Sequence, residues 1–481
     1  MATLERSPVV VERPELRRKG FESLDHEAAF YALPVSGEIP RWVAGSLLRT
    51  GPAKWEFGEK RLAHLIDGMA MLHRFSFADG RVSYASRFLR SKAYRAAEGG
   101  RFDFYEFATD PCRRRFKRLQ TLFAPNSTPT DNGNVNLTRL GERFIAMTEA
   151  PLPVEFDPQT LEAAGVAYAA PGHLSSAHPH RDRASGDLLS YAIKLGRRES
   201  EYRFFAIGAE REPRIFATVP SREPAYLHSF GLTPHYLILA EFPFVIEPMA
   251  FILHSRPYID NYRWEPGRGT RFTVLSRTTG QTVAEMTGPA SFGFHHVNAY
   301  EEDDLLVVDV SVYADAGVVQ DTYIDALRTG TVVRPPQLRR FRLDLRRGEV
   351  DDEQLAEIPF EMPQINWARS CEYPYRYAWG VTGGGGGWFE MVAKIDVEDR
   401  EALIWGEEGC FAGEPIFVAS PDAEAEDDGV VLSVVLDGNR DSSFLLVLDA
   451  ASLEEIGRAE VPHHIPFGFH GQYAPGAGLG D

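Results

Sequence analysis

The chain has 481 residues, 44% of them hydrophobic, a formal net charge of −18 and an isoelectric point near 5.3. An acidic balance of this size excludes nucleic acid as the main partner, since a DNA or RNA binder carries a basic face. Three scattered cysteines (Cys112, Cys371, Cys410) exclude a disulfide framework and a cysteine zinc site. With no signal-peptide core and no membrane-length apolar run, the expected location is cytoplasmic.

In chain order, the first element is a hairpin, FSFADGRVSYAS (75–86): an apolar strand, an Asp-Gly turn and a second strand. DPCRRRFKRLQTLF (110–123) breaks the β rhythm, with Phe116, Leu119, Leu122 and Phe123 on about one helical face beside the basic run 113–115. The hairpin pattern returns at EFDPQTLEAAG (155–165). A dense apolar insertion, FPFVIEPMAFILHSRPYI, follows at 242–259. Further hairpins occupy 274–286, 342–350, 394–405 and 447–461, with Asp, Ser and Gly at their turns. The last three recur at roughly the 50-residue period of a propeller blade, although a β-sandwich could use similar hairpins. GGGGG at 383–387 reads as a loop tip, and no composition shift divides the chain, so one domain spanning 1–481 is expected. The 110–123 and 242–259 segments could pack on the propeller or dip into a membrane surface, with Arg and Lys at headgroup level.

With paired cysteines absent, His and carboxylates are the candidate ligands. Several of the 14 histidines close apolar strands, often beside an aromatic residue: SSAHPHRD (175–182), YLHSFGLTPHYLILAEF (226–242), FGFHHVNAYEEDD (292–304) and PFGFHG (466–471). A propeller sends the inner strand of every blade to its axis, so one His from each of several blades could converge. Neutral imidazoles suit iron, zinc, copper or nickel. His295 and His296 are neighbours on a strand and therefore point to opposite faces; at most one can reach such a site.

These motifs, preceded by HLIDGMAMLHRFSFADGRVSYASRFLRS (64–91) and followed by CEYP and GEPIFVASPDAEAEDDGVVLSVV, resemble the carotenoid cleavage oxygenases over nearly the whole chain, closest to the animal-type branch. The resemblance implies an all-β, seven-bladed β-propeller with a helical and loop cap over one face, and Fe(II) on its axis. Position by position, it implies His178, His228, His295 and His470 as iron ligands. Glu149, Glu372 and Glu414 are implied as carboxylates bonded to ligand imidazoles, and Thr148 as a residue beside the open metal face. His180, His296, His463 and His464 match no family ligand and are expected to be structural. The implied reaction is scission of a carotenoid or apocarotenoid C=C bond by O2, centrally at 15,15′ to give retinal, with peripheral membrane contact. Eccentric or stilbene-type cleavage, or a propeller that binds apolar ligands without catalysis, are the alternatives. EAPLP (149–153) departs from the aromatic-containing run of the animal enzymes and bears on substrate choice.

Overall fold

Each hairpin expected from the sequence forms, and four of them close in the same way. Asp157, Asp344, Asp396 and Asp449 each use one carboxylate oxygen to accept two backbone N–H groups two and three residues ahead, at 2.8–3.1 Å. An Asp at the strand end thereby satisfies the turn's donors and turns the chain back.

A computed structural model describes residues 13–102, 104, 106–109, 129–249, 256–383 and 387–476. Its antiparallel hairpins build seven sheets of four to six strands, the blades of a β-propeller. Blade 1 combines both ends of the chain: Gly45–Lys54 pairs with Met69–Ala78 on one side and with the last strand, Gly471–Pro475, on the other. This pairing closes the ring. Blades 2 to 6 follow in sequence, beginning at Asn136–Leu140, Leu174–Ser175, Gly231–Leu232, Phe292–Glu302 and Glu361–Gln364. Blade 7 is built on Gly429–Asp437 and also recruits Val35–Gly37 from the N-terminal region. Inner strands of blades 4 and 5, 5 and 6, 7 and 1, and 1 and 2 touch one another around the axis.

A cap covers one face. Backbone hydrogen bonds join the loop at 62–67 to the helices Val318–Asp321 and Ile324–Arg328 and join Phe107 to Ile259, and the Asp67 carboxylate accepts from the Ala108 N–H to tie the two parts together. Their apolar side chains, including Leu65, Phe107, Tyr258, Val318 and Ile324, merge with Tyr226 and Phe292 of the blades into the largest core cluster. Burial of this kind contributes roughly 1.5–3 kcal/mol per large side chain, which fixes the cap on the ring. The expected helix at 110–123 and the 250–255 part of the apolar insertion lie outside the described residues. Among the described part of that insertion, Phe244–Ile246 forms a short ribbon with Tyr262–Trp264. No helix among the described residues is long and apolar enough to cross a membrane.

Candidate metal centre

Seven blades deliver seven side chains to the axis. Four supply a histidine: His470 precedes the last strand of blade 1, His178 interrupts the first strand of blade 3, His228 precedes that of blade 4, and His295 lies within that of blade 5. The other three supply a glutamate: Glu149 after the second strand of blade 2, Glu361 at the start of blade 6, and Glu414 in blade 7. The four imidazoles offer nitrogen atoms that all lie within 4.8 Å of one another, the one such cluster among the described residues.

Local distortions aim the rings. The strand Phe292–Glu302 slips register against Leu305–Tyr313 between Gly293 and His296 and again between His296 and Asn298. Two consecutive bulges turn His295 into the axis, the usual work of a bulge beside a functional site. His296 points away, its Nδ1 2.8 Å from the Ser229 hydroxyl. At blade 3, Pro179 has no N–H for the ladder, so pairing breaks between Ser175 and His180 and His178 leaves the sheet edge. His180 bonds the Phe230 carbonyl (2.9 Å) and His463 that of His464 (2.8 Å); neither they nor His464 join the cluster.

Three imidazoles are held by carboxylates. His228 Nδ1 donates to Glu149 (2.6 Å), His295 Nδ1 to Glu361 (2.5 Å) and His470 Nδ1 to Glu414 (2.7 Å). Each carboxylate is fixed in turn. The Tyr226 hydroxyl donates to Glu149 (2.6 Å), the Tyr313 hydroxyl (3.3 Å) and the Met362 N–H (2.6 Å) to Glu361, and Gln364 Nε2 and the Gly471 N–H (both 2.8 Å) to Glu414. Met362 holds φ at +48°, a costly conformation for a non-glycine residue, and in it the N–H folds back on the Glu361 carboxylate. Among the described residues, no carboxylate bonds His178, whose Nδ1 lies 3.5 Å from the Asn136 amide nitrogen. The blade-2 glutamate that could have served it reaches past blade 3 to His228 instead.

The expected role of Glu372 is corrected by this geometry. Its carboxylate accepts from Arg277 (2.8 Å), which also binds Asp182 (2.6 Å), and the carboxylate on His295 is Glu361. Glu361 sits in PFEMPQ (359–364), an acidic residue inside an otherwise apolar strand start, which was the available signal. Thr148 follows the strand Arg143–Met147 and lines a cleft with Phe107, Glu149, Leu174, Leu195 and Tyr258.

The donor set fits a cation. With the Nδ1–H groups of His228, His295 and His470 committed to carboxylates, their three Nε2 atoms present lone pairs to the axis. Yet His178 and His228 Nε2 are 2.8 Å apart, and His295 and His470 Nε2 are 3.1 Å apart. For His295 and His470, whose Nδ1–H groups both face carboxylates, lone pairs converging so closely repel unless a positive ion lies between them. Burial, and then the three neighbouring imidazoles, hold His178 well below the ordinary histidine range; burial also lowers His228 despite Glu149. Both are thus neutral, as metal ligation requires. Burial pushes the Glu361 carboxyl up, but the His295 ring and the Met362 N–H outweigh it and keep the group ionised.

The family model described as "Retinal pigment epithelial membrane protein" matches residues 21–475. The chain belongs to the RPE65 family of carotenoid oxygenases. Among curated relatives, it is 32% identical to the carotenoid isomerooxygenase of Galleria mellonella, over 92% of this chain and 93% of that one. It is also 32% identical to the beta,beta-carotene 15,15′-dioxygenase of Homo sapiens, over 91% of each. The cobalt-substituted Synechocystis ACO crystal structure superposes with a TM-score of 0.86 at 26% identity, covering 96% of this chain and 99% of that one. Fold and enzyme class follow: this member of the RPE65 family is a β-propeller enzyme of the carotenoid-cleaving dioxygenases.

Proposed function

We propose that this oxygenase binds Fe(II) through His178, His228, His295 and His470 and cleaves a carotenoid or apocarotenoid C=C bond with O2, centrally at 15,15′ to give retinal. The observation that carries the reading is the set of four converging imidazoles, three of them held by buried glutamates. When bound, the iron supplies the redox chemistry that O2 needs, and four neutral ligands leave positions open for it.

The chain's own residues do the rest. Glu149, Glu361 and Glu414 fix the tautomer and direction of three rings and, as three negative charges, favour a dication over the proton. Thr148 borders the cleft beside Glu149, where it restricts approach to the open face. Phe107, Leu174, Leu195 and Tyr258 give that cleft an apolar wall suited to a polyene, beside the polar Glu106, Thr130 and His173. No general acid or base is needed for a scission that yields two carbonyls. Substrate arriving from a membrane surface through 110–123 and 242–259 belongs to the same reading, supported by apolar residues placed beside basic ones there.

The test is aerobic incubation of the iron-loaded protein with β-carotene and with apocarotenals, followed by chromatography and mass spectrometry. Retinal as the product from β-carotene is expected. Two carbonyl fragments of unequal length would move the assignment to eccentric cleavage, and intact carotenoids with a fully iron-loaded protein would overturn the catalytic reading.

A further inference from the structure

Glu414 differs from the other two glutamates of the centre in one respect. Among the described residues, Glu149 and Glu361 are met, apart from their histidines, by neutral donors alone. Glu414 also faces a guanidinium: Arg49 Nη1 lies 3.8 Å from its Oε2, with both side chains buried. Among the described residues, Arg49 is the one arginine or lysine within ion-pair distance of any of the three carboxylates. It comes from the blade-1 strand Gly45–Lys54 and spans the site's scaffold, donating to the Glu414 carbonyl (3.2 Å) and to the Phe469 carbonyl (2.9 Å), one residue before His470.

Burying a guanidinium is costly without a purpose, and arginine keeps its charge in such settings. Charge bookkeeping supplies the purpose. Four neutral imidazoles, three carboxylates and a dication sum to −1; Arg49 brings the buried centre to zero. A centre left at −1 in a low-dielectric interior would stabilise one more positive charge on the metal, which is the ferric ion.

We propose that Arg49 is a positioning residue of the metal centre whose fixed positive charge, set against Glu414, holds the bound iron in its ferrous form. The inference rests on the iron reading given above. It is tested by anaerobic redox titration of iron-loaded wild type, Arg49→Gln and Arg49→Lys, followed by the ferric electron paramagnetic resonance signal, with metal content measured for each. Arg49→Gln keeps a donor but no charge, and the ferric-to-ferrous ratio at a given potential should rise about tenfold, a midpoint about 59 mV lower for a one-electron couple. Arg49→Lys keeps the charge but cannot span both carbonyls, and should titrate within about threefold of wild type, or roughly 30 mV. An Arg49→Gln protein that binds iron and titrates with wild type overturns the proposal, as does an Arg49→Lys shift as large as that expected of Gln. If Arg49→Gln does not fold, Arg49→Lys decides alone, because a purely structural arginine predicts a shift there. Wild type that takes up no iron would sink the iron reading and this inference together; iron uptake with equal midpoints sinks only the inference.

Discussion

Glu361 and Glu372 make a matched pair for testing how the centre is held. Both are buried glutamates of blade 6, eleven positions apart in sequence, and each carries one dominant partner: the His295 imidazole for Glu361, the Arg277 guanidinium for Glu372. In Glu361→Gln the amide oxygen can still accept from His295 Nδ1, but the bond is no longer charge-assisted. Such bonds contribute about 1.5–3 kcal/mol, against about 0.5–1.5 for neutral ones, so roughly 1–2 kcal/mol of ring orientation is lost. Loss of a carboxylate behind a metal-bound histidine typically weakens metal binding by about 10–100-fold, or about 1.4–2.7 kcal/mol, and the two estimates agree. Glu372→Gln weakens one bond of an arginine that retains Asp182 and the Thr233 carbonyl (both 2.6 Å). It should cost about 1–3 kcal/mol of stability and leave metal affinity unchanged. The assay is anaerobic titration of apoprotein with Fe(II) against a competing chelator, alongside urea unfolding of each variant. Metal affinity that falls in Glu372→Gln and survives in Glu361→Gln would refute the assignment of carboxylates to rings.

Three further outcomes are expected. His295→Ala should lose bound iron and activity while His296→Ala keeps its iron, read by metal analysis of the purified proteins; the reverse would mean that the bulges aim the other ring. Metal should stabilise the fold: at about 100-fold excess over the dissociation constant, linkage gives about 2.7 kcal/mol, seen as a higher unfolding temperature than in chelator-treated protein. Apoprotein stability should fall as pH drops below 6.5. Burial pushes His64, His180 and His464 down to about 4 and His73 and His296 down to about 3, so the unfolded chain binds protons that the folded chain refuses. Each depressed histidine then removes about 1.4 kcal/mol per pH unit between its two values. Asp67, raised by burial to about 6, and Glu106, also raised by burial, oppose this but are outnumbered. Urea midpoints that stay flat from pH 6.5 to about 4.5 would contradict the account.

Much of the site was legible in the chain because its signals are local. Turn aspartates such as Asp344 and Asp449 bond their own neighbours, so each hairpin announces itself in a dozen residues. Strand-end position made several histidines candidates, and the resemblance to the carotenoid cleavage oxygenases picked His178, His228, His295 and His470 as a set before any contact was known. Strand alternation allowed one member of the pair 295–296 to face the axis, and the family pattern chose His295; the bulges that turn it inward left no separate mark. What stayed hidden was pairing at long range. Glu361 and Glu372 both stand beside aromatic residues in blade 6, and nothing local says which meets an imidazole 66 positions earlier and which meets Arg277. Arg49 reads as an ordinary strand arginine until ring closure sets it against Glu414, 365 positions away. Sequence by itself determined the hairpins and offered histidines as the candidate ligands, because backbone turns and side-chain chemistry act over a few residues; the seven blades and the four-histidine set were implied by the family resemblance. Only the closed ring decided which charge neutralises which, because electrostatic partners are chosen by proximity across blades rather than by order along the chain.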